Sequence, residues 1–121
     1  MAKYWRGSFV YLVNLGPFPE LVKVGHANRV KYRMGELQTG NPFEIQLLAT
    51  RNVCCGRCAS ACENAIHRVL SGMGYHEGLE WFRLDQSIRQ QLIEFIEKGT
   101  WPSGHWSGNA ERVASLLSPV A

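Results

Sequence analysis

The stretch LVKVGHANRV, residues 21–30, changes character half-way along. Its first half is apolar apart from one lysine and ends in Gly25, as a buried strand would. Asn28 then offers the side-chain oxygen that caps a helix. Lys23 is the anomaly, because burying an ammonium is costly unless it is paired.

Working outward, residues 9–15, FVYLVNL, are nearly all apolar and read as a strand covered on both faces. GPFP, 16–19, is a turn, and residues 20–25 are the second strand. The short connection implies an antiparallel hairpin that brings Tyr11 near Lys23, with His26 just past the strand end. Downstream, Asn28 starts a helix that runs to about Gln38, with Val30, Met34 and Leu37 as its apolar stripe. TGNP, 39–42, stops it.

Residues 43–50, FEIQLLAT, begin by alternating and read as a third strand. After a cysteine-rich stretch, Cys62, Ile66, Val69, Leu70 and Met73 recur at helical spacing, in a helix that Glu63 begins. EWFRL, 80–84, is a short strand or an aromatic-packed loop. Asp85 caps a last helix whose Ile88, Leu92, Phe95 and Ile96 face the core, and Gly99 stops it. The expected fold is α/β: a small, mostly antiparallel three-stranded sheet flanked by helices. One domain would fill residues 1–99. Residues 100–121 would be an extension packed on it, with a short helix at 109–118. There Trp101, His105 and Trp106 either cover an apolar edge or stack on bases, the former being expected.

The chain has 121 residues, 45% of them hydrophobic and 19% charged, which suits one globular domain with a modest core. The net charge of +3 permits contact with nucleic acid without arguing for it. The longest apolar run is FVYLV, far short of the roughly 18 residues of a membrane span. MAKYWRG is not an apolar signal segment, so a cytoplasmic setting with reduced cysteines is expected.

Tyr11, Lys23, His26, Arg33 and Glu63 fall near the ends of the expected sheet. Two candidate bases, two cations and a carboxylate suit phosphoryl chemistry, which needs an activated water and cations over developing charge. Taken singly, each has a plainer account: Tyr11 as core, Lys23 as an edge-strand charge, Arg29 with Arg33 and Glu63 with His67 as one-turn surface rows.

VYLV, then KVG, then R33 ahead of LQTGNP, then E63 and H67, then EWF resembles the GIY-YIG nuclease superfamily over residues 9–85. It is most similar to the phage and bacterial subgroup with a KIG-type second motif and LxTGNP. The resemblance implies a DNA endonuclease that hydrolyses phosphodiester bonds with Mg or Mn. Tyr11 matches the first-motif tyrosine, Gly25 the second-motif glycine, Arg33 the helix arginine on the scissile phosphate, and Glu63 the metal-binding carboxylate. Lys23 stands where most members have tyrosine, with His26 three residues later. His67 and Trp81-Phe82 match a subgroup signature; Gly25, Arg29 and His67 would touch substrate. Tyr11 assisted by Lys23 is the first choice of base and His26 the second. Phe9 stands where the first motif has glycine. That departure and Lys23 leave an alternative: a degenerate module that binds nucleic acid or a host protein.

Cys54, Cys55, Cys58 and Cys62 include one C-x2-C pair. A structural zinc wants two separated pairs. Plain thiols are therefore expected in preference to zinc.

Overall fold

The computed structural model describes residues 8–78 and 81–98, with backbone alone at 76–78. The expectations for the extension, including Trp101, His105, Trp106 and a helix at 109–118, lie outside the described residues. In chain order the elements are β1 (Ser8–Leu15), β2 (Phe18–Ala27), α1 (Val30–Gln38), β3 (Ile45–Val53), α2 (Gly56–Gly72), β4 (His76–Gly78), β5 (Trp81–Arg83) and α3 (Gln86–Lys98). The sheet order is β3-β1-β2-β5-β4, and every pairing is antiparallel. The expected three strands form its body, and the short β5 and β4 extend it beyond β2. No helix among the described residues is long and apolar enough to cross a membrane.

Each sheet face follows from strand alternation. Val10 and Leu12 of β1, with Val22 and Val24 of β2, bury against α2 and α3. Helix α2 presents Cys58, Ala59, Cys62, Ala65, Ile66 and Leu70 to that face, and α3 presents Ile88, Leu92, Phe95 and Ile96. Burying each large aliphatic side chain contributes about 1.5–3 kcal/mol. Asp85 caps α3 as expected: its Oδ1 accepts from the Ile88 N–H at 2.9 Å. At the other end, Arg51 of β3 donates to the Ile96 and Glu97 carbonyls at 3.4 and 3.5 Å, placing a cation on the negative pole of the helix.

The opposite face carries Phe9, Tyr11, Lys23 and Gly25, with α1 above it. None of α1 is buried; Val30, Met34 and Leu37 are half-buried. Its N-cap is Arg29 rather than Asn28, with no side-chain cap bond. Asn28 Oδ1 accepts instead from Ser8 Oγ at 2.7 Å, which ties it to β1. The far end of α1 is better secured. Gln38 donates to the Phe43 carbonyl at 2.9 Å and accepts from the Ile45 N–H at 2.8 Å. Asn41 Oδ1 accepts from the Phe43 N–H at 3.0 Å, and Gly40 takes φ +79°, where glycine is favoured. QTGNP is thus the clasp between α1 and β3.

Three further differences concern element bounds. Strand β2 runs on to Ala27, so His26 lies inside it. Strand β3 starts at Ile45 and ends at Val53. Helix α2 begins at Gly56, within the cysteine-rich stretch, so Glu63 sits mid-helix.

Candidate functional site

Among the described residues, strand β5 pairs with β2 at Leu21, Val22 and Lys23. From Val24 onward the outer edge of β2 is met by side chains of α2. His67 Nε2 lies 2.8 Å from the Val24 carbonyl, which requires that nitrogen to carry the hydrogen. Phe82 of β5 packs against the imidazole, ring centroids 5.3 Å apart. One helical turn before His67, Glu63 reaches the same strand, as i,i+4 spacing allows. Its Oε1 lies 2.5 Å from His26 Nδ1 and its Oε2 3.8 Å from His67 Nδ1. His26 Nδ1–H therefore donates to the carboxylate, which in the neutral tautomer leaves Nε2 as the acceptor. The His26 side chain is 37% exposed and that of Glu63 14%.

Gly25 lies between these two β2 contacts. It stands opposite Tyr11 of β1, and the phenol ring covers it so closely that a Cβ there would overlap the hydroxyl. Tyr11 is 1% exposed. Its hydroxyl accepts from Arg33 Nε at 3.4 Å, and Arg33 Nη1 donates to Glu36 at 3.3 Å. The Tyr11 contact is the main reason that the guanidinium pKa is raised above its usual value. Arg33 remains 39% exposed, so part of its cation faces solvent.

Val24, Gly25 and His26 thus touch His67, Tyr11 and Glu63 in turn, within about 7 Å of extended backbone. Lys23 lies two residues before Gly25 on the Tyr11 face, 7% exposed, with Val13 and Trp81 as its cross-strand neighbours. It has strands on both sides, so it is not an edge charge. Arg29 and Lys31 rim an apolar groove of about 540 Å³ between α1 and the sheet, floored by Phe9, Met34 and Leu47. With Arg33 they put three cations at the N-terminal end of α1, where the helix dipole is also positive and the first turn holds no acidic residue; of the three, Arg33 is paired with Glu36 one turn on.

Sequence reasoning picked out Tyr11, Gly25, His26, Arg33, Glu63 and His67. It did not foresee the His26–Glu63 hydrogen bond or the support of His67 by Phe82. Glu36, the second Arg33 partner, lies one helical turn further along α1 and was read from the sequence with Arg33 as a solvated helix face.

Would Glu63 suit the divalent ion that the resemblance implies? One oxygen is committed to His26, and Oε2 remains beyond hydrogen-bond reach of His67. Magnesium commonly binds one or two carboxylates and keeps several waters. A single carboxylate with one oxygen outside any hydrogen bond to the two histidines fits that mode.

The T5orf172 domain profile matches residues 8–98, from the first residue of β1 to the last of α3. The chain belongs to the T5orf172 domain family. The T5orf172 domain is a GIY-YIG-like, nuclease-associated fold, compatible with a nuclease-like or nucleic-acid-binding module. No curated protein and no solved structure matches the chain.

Within this T5orf172 domain the cysteines divide. Cys54, Cys55 and Cys58 gather where β3 gives way to α2, close enough to bind a metal ion. Contact with the Cys58 thiol, and then desolvation, push Cys54 up to about 11. Cys62 lies apart in the core, where burial pushes it up to about 12.

Proposed function

We propose that this T5orf172 domain is a metal-dependent DNA endonuclease that hydrolyses phosphodiester bonds beside residues 24–26 of β2. The observation that carries this is the His26–Glu63 pair, one residue from Gly25 and its Tyr11–Arg33 cover. Glu63 orients the imidazole, and Nε2 takes the proton of the attacking water. We assign the base to His26 rather than Tyr11, because His26 is exposed while Tyr11 is almost fully buried and already accepts from Arg33.

Arg33 neutralises charge developing on the phosphoryl oxygens, and Tyr11 holds its Nε in place. Lys23 adds positive charge on the same face. Glu63 Oε2 would hold a magnesium or manganese ion, which when bound supplies Lewis-acid stabilisation of the leaving oxygen. Arg29, Lys31 and the positive end of α1 attract the flanking phosphates.

The burial of Tyr11 and Lys23 also favours a second reading, a catalytically degenerate module that binds nucleic acid or a host protein. The two separate in one assay. Labelled single- and double-stranded DNA is incubated with the full chain and Mg²⁺ or Mn²⁺. Cleavage abolished by EDTA is expected. Binding without cleavage in either metal selects the degenerate module.

A further inference from the structure

Three sulfurs meet at the β3–α2 junction. Cys54 follows the last residue of β3, Cys55 is the N-cap of α2, and Cys58 lies in its first turn. Cys54 Sγ is 3.3 Å from Cys58 Sγ and 3.8 Å from Cys55 Sγ, and all three lie within 4.8 Å of one another. Zinc–thiolate bonds of about 2.3 Å in a tetrahedron set neighbouring sulfurs about 3.8 Å apart. The Cys54–Cys55 separation equals that value and the Cys54–Cys58 separation is about 0.5 Å shorter, and none of these cysteines is in a disulfide. Burial is graded across the cluster: Cys58 is buried, Cys55 half-buried and Cys54 exposed. The sulfurs therefore form one side of a site whose outer side opens toward solvent.

We propose that Cys54, Cys55 and Cys58 bind one zinc ion through three thiolates, with water or an exogenous donor in the fourth position. The sequence argued against zinc because no second cysteine pair exists. That objection applies to closed four-ligand sites; sites with an open position hold three protein ligands. Each thiol gives up its proton on binding, so uptake releases up to three protons. Cys55 makes no side-chain cap bond, and the positive end of α2 stands beside the cluster to offset its negative charge. Thiolates select zinc over magnesium, which separates this centre from Glu63. Bound zinc would clasp β3 to the start of α2, the helix that carries Glu63 and His67.

Cobalt(II) is the probe, because it occupies tetrahedral thiolate sites and colours them. The full chain, purified in reductant without chelator, is stripped of metal and titrated with Co²⁺. Expected is a thiolate-to-cobalt charge-transfer band in the near ultraviolet that saturates at one ion per chain and vanishes on adding Zn²⁺. C54S, C55S and C58S should each weaken binding at least tenfold, while Cys62→Ala should leave it unchanged. C54S is decisive should C58S fail to fold, because Cys54 is exposed. No band in the wild-type chain, or a band that survives C54S and disappears with Cys62→Ala, overturns the proposal. So does a Cys54–Cys58 disulfide in protein purified anaerobically. None of these outcomes depends on nuclease activity.

Discussion

Gly25→Ala tests how closely Tyr11 is laid over β2. Gly25 is not among the glycines of positive φ, so alanine is compatible with its backbone. On backbone grounds alone the change should stabilise by about 0.4–1 kcal/mol, by restricting the unfolded chain. Sterically it does the reverse. The new Cβ overlaps the Tyr11 hydroxyl and Cζ and comes within 3.0 Å of Cε1. The phenol is a stiff ring, 1% exposed and held by Arg33, so it cannot swing aside freely. Overpacking of this kind costs about 1–3 kcal/mol. The net loss expected is up to about 2.6 kcal/mol, read as a drop in melting temperature of up to roughly 15 °C for a domain of this size. Displacing the ring also shifts Arg33, and a misplacement of about 1 Å can lower cleavage about 10²-fold. The control is the same change beside Tyr11→Leu, since leucine lacks all three overlapped atoms. In that background Gly25→Ala should become neutral or stabilising in urea unfolding. An equal cost in both backgrounds would refute the packing account of Gly25.

Further outcomes follow from the same geometry. Arg33→Ala should lower single-turnover cleavage about 10²–10³-fold while changing DNA affinity less than tenfold, because its main partner is transition-state charge; equal losses would make it a binding residue only. Lys23→Met keeps the stem and removes the amine, so the chain should stay folded by circular dichroism and lose at least tenfold in cleavage; unchanged cleavage removes Lys23 from the site. Cys62 has its folded pKa raised to about 12 from 9.0, so between those values the folded state holds more protons than the unfolded one. Stability is fully present below pH 9 and falls as pH rises beyond it, by at most about 1.4 kcal/mol per pH unit from this group. Cys62→Ala should flatten the decline of melting temperature above pH 9, and an unaltered slope would refute that assignment.

The hairpin, the third strand and the two amphipathic helices α2 and α3 were legible because their apolar residues answer to the buried core, whereas α1, which buries no residue, was legible from its half-buried stripe and the TGNP stop. The α3 cap at Asp85 was legible for the same local reason. Asn28 misled as a cap because a tertiary partner, Ser8, competes for its oxygen. Glu63 was placed at a helix start because cysteines and glycine look like a loop, yet Cys58 and Cys62 pack as small apolar residues on the sheet. The extension of β2 through His26 could not be read from a polar histidine; it is held by pairing with Val10 and by Glu63. Site residues were picked out by type and order, but the pairing of His26 with Glu63 joins residues 37 apart and depends on α2 crossing the β2 edge. Likewise the cysteine spacing pointed away from metal, and only the bend from β3 into α2 brings the three sulfurs together.

The central claim is that His26 and Glu63 act as one unit in cleaving DNA. Single-turnover cleavage by wild type, His26→Ala, Glu63→Gln and the double variant, with Mg²⁺ present and binding measured in parallel, tests it directly. Groups that act together are strongly non-additive. Each single change should cost at least about 10²-fold, and the double variant should be little worse than the more damaged single one, with all four proteins folded and still binding DNA. A folded wild-type chain that binds DNA without cleaving it, or losses that simply multiply in the double variant, would contradict the account.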